Sequence, residues 1–148
     1  MKTAIAYYSQ HHGNTKKLLD AIKAADENVT LIDVTEKHEV DLNGYDRIGF
    51  ASGIYYWSFA KQVLNFARVN LPAQKDVFLI ATCGSQAKNY FNTIRQVIKD
   101  KQCRELGSYL CLGFDTFGPF KLVGGVQKGH PTEEEIQAAV KFYQELSS

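Results

Sequence analysis

Three short stretches of this chain combine residue types that can hold a ligand, and each reads as a loop. The first, Ser9-Gln10-His11-His12-Gly13-Asn14-Thr15, is rich in hydrogen-bond donors. The hydroxyls of Ser9 and Thr15 and the amide of Asn14 can donate to an anion, and Gly13 lets the backbone approach it closely. If a helix begins after Gly13, its unpaired N–H groups and its macrodipole favour negative charge at the same place, so a phosphate suits this loop. Lys16 and Lys17 in that first turn oppose the macrodipole, a conflict that a bound anion would relieve. The plainer reading is that Asn14 or Thr15 merely caps the helix. The spacing matches neither G-x-x-x-x-G-K-[ST] nor G-x-G-x-x-G, which disfavours a nucleoside triphosphate. His11 and His12 could ligate a metal, but adjacent side chains diverge and no nearby acid or cysteine completes a set, so no metal is expected.

The second stretch, Ser52-Gly53-Ile54-Tyr55-Tyr56-Trp57-Ser58-Phe59, places three aromatics in a row. Such residues at a strand end can form the flat apolar wall on which a ring system stacks. Phe59 and one of the tyrosines read better as core, which leaves Trp57 as the wall. The third stretch, Thr82-Cys83-Gly84-Ser85, is a turn of small residues whose backbone can approach a ligand. Cys83 has no visible base or cation to lower its thiol pKa, so it reads as a small lining residue rather than a nucleophile.

The elements that position these loops follow from periodicity. Residues 3–8 (TAIAYY), 29–34 (VTLIDV), 47–52 (RIGFAS), 77–82 (VFLIAT) and 106–115 are short apolar runs bounded by polar turns, the pattern of buried strands. Between them lie helical patterns. The first has Leu18, Ile22 and Ala25 on one face and closes at Asn28. The second has Ser58 as its cap, Phe59, Val63, Phe66 and Ala67 at core spacing, and Pro72 beyond its end. The third covers 90–101 and buries Phe91, Ile94 and Ile98. The last starts at Thr132 with Glu135 three residues on, a capping box, and buries Ile136, Val140 and Tyr143. Strands alternating with amphipathic helices specify a doubly wound, mostly parallel five-stranded sheet. Ligands then bind beyond the carboxyl ends of the strands, where the loops at Ser9, Ser52, Thr82 and Asp115 lie.

Composition narrows the functional classes. At 148 residues, with 45% hydrophobic residues, the chain is expected to form one domain with one core. Its 17 basic and 16 acidic side chains leave a formal charge of +1, too little to steer it to nucleic acid or an anionic membrane. No run of about 18 apolar residues suggests a membrane span. The first strand follows Met1-Lys2 directly, leaving no room for a signal peptide, so a cytoplasmic address is expected. Cys83, Cys103 and Cys111 form no C-x-x-C and read as reduced thiols.

The order strand, S-x-x-x-GNT, helix, strand with an aromatic loop, and strand ending in T-C-G-S resembles the flavodoxin-like family of FMN proteins along the whole chain. The stretch 113–135, GFDTFGPFKLVGGVQKGHPTEEE, is similar to the C-terminal part of small bacterial members, and no insertion splits the fifth strand. The resemblance implies strand order 2-1-3-4-5 with FMN at the carboxyl edge. The Ser9 to Thr15 loop, including Gln10, His11, His12, Gly13 and Asn14, would hold the ribityl phosphate. The loops with Ser52, Gly53, Ile54, Tyr55 and Trp57 and with Thr82, Cys83 and Gly84 would flank the isoalloxazine. Three residues rather than the usual two separate the serine from GNT, so Ser9 or Gln10 takes the serine role. The second loop looks closer to quinone-reducing relatives than to electron carriers. The leading expectation is an FMN electron carrier meeting a redox partner protein. The alternative is an FMN-dependent oxidoreductase passing hydride from a nicotinamide to a quinone, and a third is a binding module without cofactor. The glycine-punctuated segment from Thr116 to Pro131, with Phe117, Phe120, Leu122 and Val123, could be an oligomer contact or a flap on its own core.

Overall fold

The computed structural model describes residues 1–9, 13–55, 58–83, 90–112 and 131–146. The strands are Thr3–Tyr8 (β1), Val29–Asp33 (β2), Arg47–Tyr55 (β3), Ser58–Phe59 (β4), Asp76–Cys83 (β5) and Arg104–Leu112 (β6). The helices are Asn14–Ala25 (α1), Lys61–Asn70 (α2), Asn92–Asp100 (α3) and Glu133–Gln144 (α4). The long strands pair in the order β2-β1-β3-β5-β6, all parallel, which is the expected 2-1-3-4-5 order once the short β4 is set aside. Strands such as β1, with all six residues buried, are apolar on both faces because helices cover both faces. On one face α2 and α3 pack Val63, Phe66, Ile94 and Ile98 over Ala4, Phe50 and Leu79. On the other, α1 and α4 pack Leu18, Leu19, Ile22, Ala139, Val140 and Tyr143 over Ile5, Phe78 and Ile80.

Several boundaries differ from the sequence reading for local reasons. Helix α1 stops at Ala25, not Asn28, because Asp26 turns extended and its carboxylate accepts the Asn28 N–H at 2.9 Å, an Asx turn that feeds β2. Ala25 is exposed, and Leu19 takes its place in the core. Strand β3 runs three residues beyond Ser52, because Ile54 and Tyr55 pair antiparallel with Phe59 and Ser58. The stretch from Gly53 is thus the first arm of a hairpin rather than a loop. Ser58 lies in its second arm and does not cap α2, whose N-cap is Ala60 with no side-chain cap. Helix α4 starts as expected, with Thr132 and Glu135 forming a complete capping box; Ile136 is half-buried. Residues 113–130, with the expected end of the fifth strand and Phe117, Phe120, Leu122 and Val123, lie outside the described residues.

Candidate functional site

The strand register brings three of the singled-out stretches to one edge. Tyr8 is level with Ser52, and Ser52 with Ala81; one step further Gly53 is level with Thr82, and Thr82 with Cys111. Ser9 follows Tyr8 directly. A parallel sheet sends all its strands toward the same end, so Ser9, Gly53, Thr82 and Cys83 meet there although they are far apart in sequence.

Helix α1 opens at this edge. Gly13 is its N-cap, in the left-handed conformation at φ 64°, and makes no side-chain cap hydrogen bond. Neither Asn14 nor Thr15 is the cap, since both already lie inside the helix. The first turn has no acidic residue, whereas α4 has three in its first turn besides a capping box. The macrodipole of α1 is therefore left without a local counter-charge at its start. The Lys16 ammonium turns down the helix to Asp20, 2.5 Å away, and that hydrogen bond raises its pKa. The Lys16 backbone N–H donates to Ser9 Oγ at 3.3 Å, which ties the end of β1 to the helix start. Among the described residues, none comes within 4 Å of a Cβ built on Gly13. Asn14 and Thr15 are buried beside it. Hydroxyl, amide and backbone donors around an uncountered helix start suit a phosphate monoester.

The second stretch is more constrained than a loop. Ser52 is fully buried, its hydroxyl donating to the Gly53 carbonyl and accepting the Ala60 N–H at 2.9 Å. The hydroxyl is thus spent closing the hairpin base. Tyr55 packs edge-on against Tyr8, centroids 5.8 Å apart, and its hydroxyl would sit 3.1 Å from a Cβ at Gly53. Ile54 and Tyr55 lean on the α2/α3 core, and Phe59 is buried against Phe91, as expected of core residues. Ser58 Oγ meets Thr93 Oγ1 of α3 at 2.5 Å, so the second arm is fastened too.

At the third stretch, Thr82 is 4% exposed and its Oγ1 lies 3.0 Å from Oγ1 of Thr15, which is 1% exposed. Cys83 is half-buried at the edge. Cys111, level with Thr82, is buried, and burial raises its thiol pKa to about 12. Tyr7, near Lys16, Asp20 and Asp33, also has a raised pKa, chiefly through burial. Gln10, His11, His12, Tyr56, Trp57, Gly84 and Ser85 lie outside the described residues. Sequence reasoning missed Tyr8 and the hydroxyl pair of Thr15 and Thr82. Tyr8 had a signal in its position as the last residue of β1; the pair, 67 residues apart, had none.

A groove of about 410 Å³ beside α2, lined by residues including Val34, His38, Phe66 and Val69, shares no residue with this edge. It offers no such set of convergent donors. Among the described residues no three His, Cys, Asp or Glu are placed to hold a metal, and no helix is long and apolar enough to cross a membrane.

Known proteins bear on this geometry. A family model described as a flavodoxin domain matches residues 4–108. An uncharacterised protein of Methanocaldococcus jannaschii is 37% identical over 145 residues, covering 96% of this chain and 95% of its own. Solved structures share the fold, among them the following. A flavodoxin from the domain Archaea superposes with a TM-score of 0.62 at 16% identity, covering 95% of this chain and 92% of its own. The general stress protein 14 of Treponema denticola, in complex with FMN, superposes with a TM-score of 0.68 at 11% identity, covering 99% of this chain and 100% of its own.

Proposed function

This chain belongs to the flavodoxin domain family, and from that premise we propose that it binds FMN at the carboxyl edge of its sheet and acts in electron transfer. The observation that carries the reading is the start of α1, where a left-handed glycine cap and neighbouring hydroxyls surround a positive helix end with no acidic residue in its first turn. Ser9, Gly13, Asn14 and Thr15 would hold the phosphate, together with Gln10, His11 and His12. Gly53, Ile54, Tyr55 and Trp57 on one side, and Cys83 and Gly84 on the other, would flank the ring system. The flavin supplies the electron chemistry when bound; the chain binds it, orients it and sets its surroundings.

The partner is a redox protein in the cytoplasm, or a nicotinamide and a quinone if the group works as an enzyme. With a formal charge of +1, the chain offers no strong field to select a partner of opposite sign. Titration of flavin-free protein with FMN and with riboflavin tests the assignment. FMN is expected to bind far more tightly, because the charge-assisted hydrogen bonds exist only when a phosphate is present. Equal affinities would overturn the phosphate subsite. Anaerobic addition of NADH or NADPH to the FMN-loaded protein separates the two modes: slow or absent bleaching of the flavin is expected, and rapid bleaching would favour the oxidoreductase.

A further inference from the structure

We infer that Thr82 is a positioning residue for the phosphate subsite, acting through Thr15. This rests on the FMN reading, but it moves Thr82 from the ring side of the site to the phosphate side. Successive residues of a strand point to opposite faces. In β5, Phe78 and Ile80 belong to the core beneath α1 and α4, whereas Leu79 and Ala81 belong to the core beneath α2 and α3. Thr82 shares the face of Phe78 and Ile80. Its hydroxyl accordingly meets Thr15 in the first turn of α1, 3.0 Å away, in a setting from which water is excluded.

Two hydroxyls that share one hydrogen bond have two orientations. If Thr15 donates to Thr82, its only proton is spent and a lone pair is left for the helix start, which repels an anion. If Thr82 donates to Thr15, the Thr15 proton is free to donate to the phosphate. An anion at the helix start therefore selects the second orientation, in which the Thr82 proton occupies a lone pair of Thr15 and holds that hydroxyl in place with its own proton left for the anion. A hydroxyl fixed in this way donates without losing rotational freedom on binding.

The test uses flavin-free full-length protein titrated with FMN and riboflavin. Thr82→Val keeps the side-chain shape but removes the donor. It is expected to weaken FMN by about five- to tenfold, the scale of one net hydrogen bond, with riboflavin affinity changing by less than about twofold. Thr82→Ser, which keeps the hydroxyl, should restore FMN binding. In a Thr15→Val background, Thr82→Val should add less than about twofold, because its effect passes through Thr15. Equal weakening of FMN and riboflavin, full FMN affinity in Thr82→Val, or additive losses in the double variant would each overturn the inference. Equal FMN and riboflavin affinities in the native protein would overturn the phosphate reading beneath it, a separate outcome.

Discussion

Tyr143 of α4 carries its hydroxyl to the amino-terminal edge of the sheet, opposite the candidate site, where it donates to the Asp26 carboxylate at 2.7 Å and lies 3.1 Å from Thr3 Oγ1. The Arg47 guanidinium stacks 4.8 Å over its ring. Asp26 is held below its ordinary pKa of 3.8, first by Tyr143 and then by the Asn28 N–H. A carboxyl that is more acidic folded than unfolded adds stability above its unfolded pKa and loses it as pH falls through the folded value. Tyr143→Phe is therefore expected to cost about 1 kcal/mol at pH 7 and progressively less as pH falls below the ordinary value and Asp26 takes up a proton, measured by urea unfolding across that range. A penalty that does not change with pH would refute the coupling to Asp26. The cysteines differ for a related reason. Burial keeps the Cys111 thiol protonated, whereas Cys83 is half-buried at the site edge. Iodoacetamide at pH 8 should label Cys83 well before Cys111, and FMN should slow the labelling of Cys83. Peptide mass mapping with and without FMN checks both orders.

The hairpin of β3 and β4 is the element that separates this edge from a plain strand-to-helix loop. Its base is closed by one buried hydroxyl, Ser52, which satisfies the N–H of Ala60 at the start of α2. Removing that acceptor leaves a buried donor unpaired, so Ser52→Ala is expected to cost about 1–3 kcal/mol. The exposed hydroxyl pair of Ser58 and Thr93 fastens the other arm, but water can replace it. Ser58→Ala should change stability by less than about 0.5 kcal/mol. Urea unfolding of both variants would contradict this account if their costs were equal.

Across the whole sheet, one row shows how the two layers meet. Ile5, Gly49, Phe78 and Gly107 lie side by side on successive strands, and the Phe78 ring reaches across Gly49. Phe78 also meets Phe142 and Tyr143 of α4, with centroids 6.5 and 5.7 Å away. Glycine in a strand interior forfeits packing, and here it makes room for that ring. A Cβ at Gly49 would fall 2.5 Å from the ring, so one of the two must shift. Gly49→Ala should therefore cost about 1–3 kcal/mol and disturb the packing of Phe78 on α4. Thermal unfolding gives the cost, and near-ultraviolet dichroism the aromatic rearrangement. An unaltered midpoint would mean that the layers can shift to absorb a methyl group.

The strands, the helix faces and the capping box at Thr132 were legible in the sequence, because each is written in local periodicity or in a four-residue spacing, whereas the strand order was implied by the family resemblance. Burial on both faces leaves β1 no polar alternation, and the core face of α3 repeats at Ile94 and Ile98. The candidate site was legible as a set of loops, since a parallel sheet sends the ends of its strands to one edge. What each side chain does there was not. Ser52 read as a ligand contact, yet its hydroxyl turns inward to Ala60, eight residues on. Thr82 read as a neighbour of the ring, yet it is paired with Thr15. Ser58 read as a helix cap, yet it lies in a strand, because pairing with Tyr55 offers its backbone partners that a helix start at that point would not. Ser52 and Ser58 find their partners at the β3–β4 hairpin, a pairing that the run of aromatics does not spell out, whereas Thr82 meets a residue 67 positions away, which only the tertiary structure could bring to it.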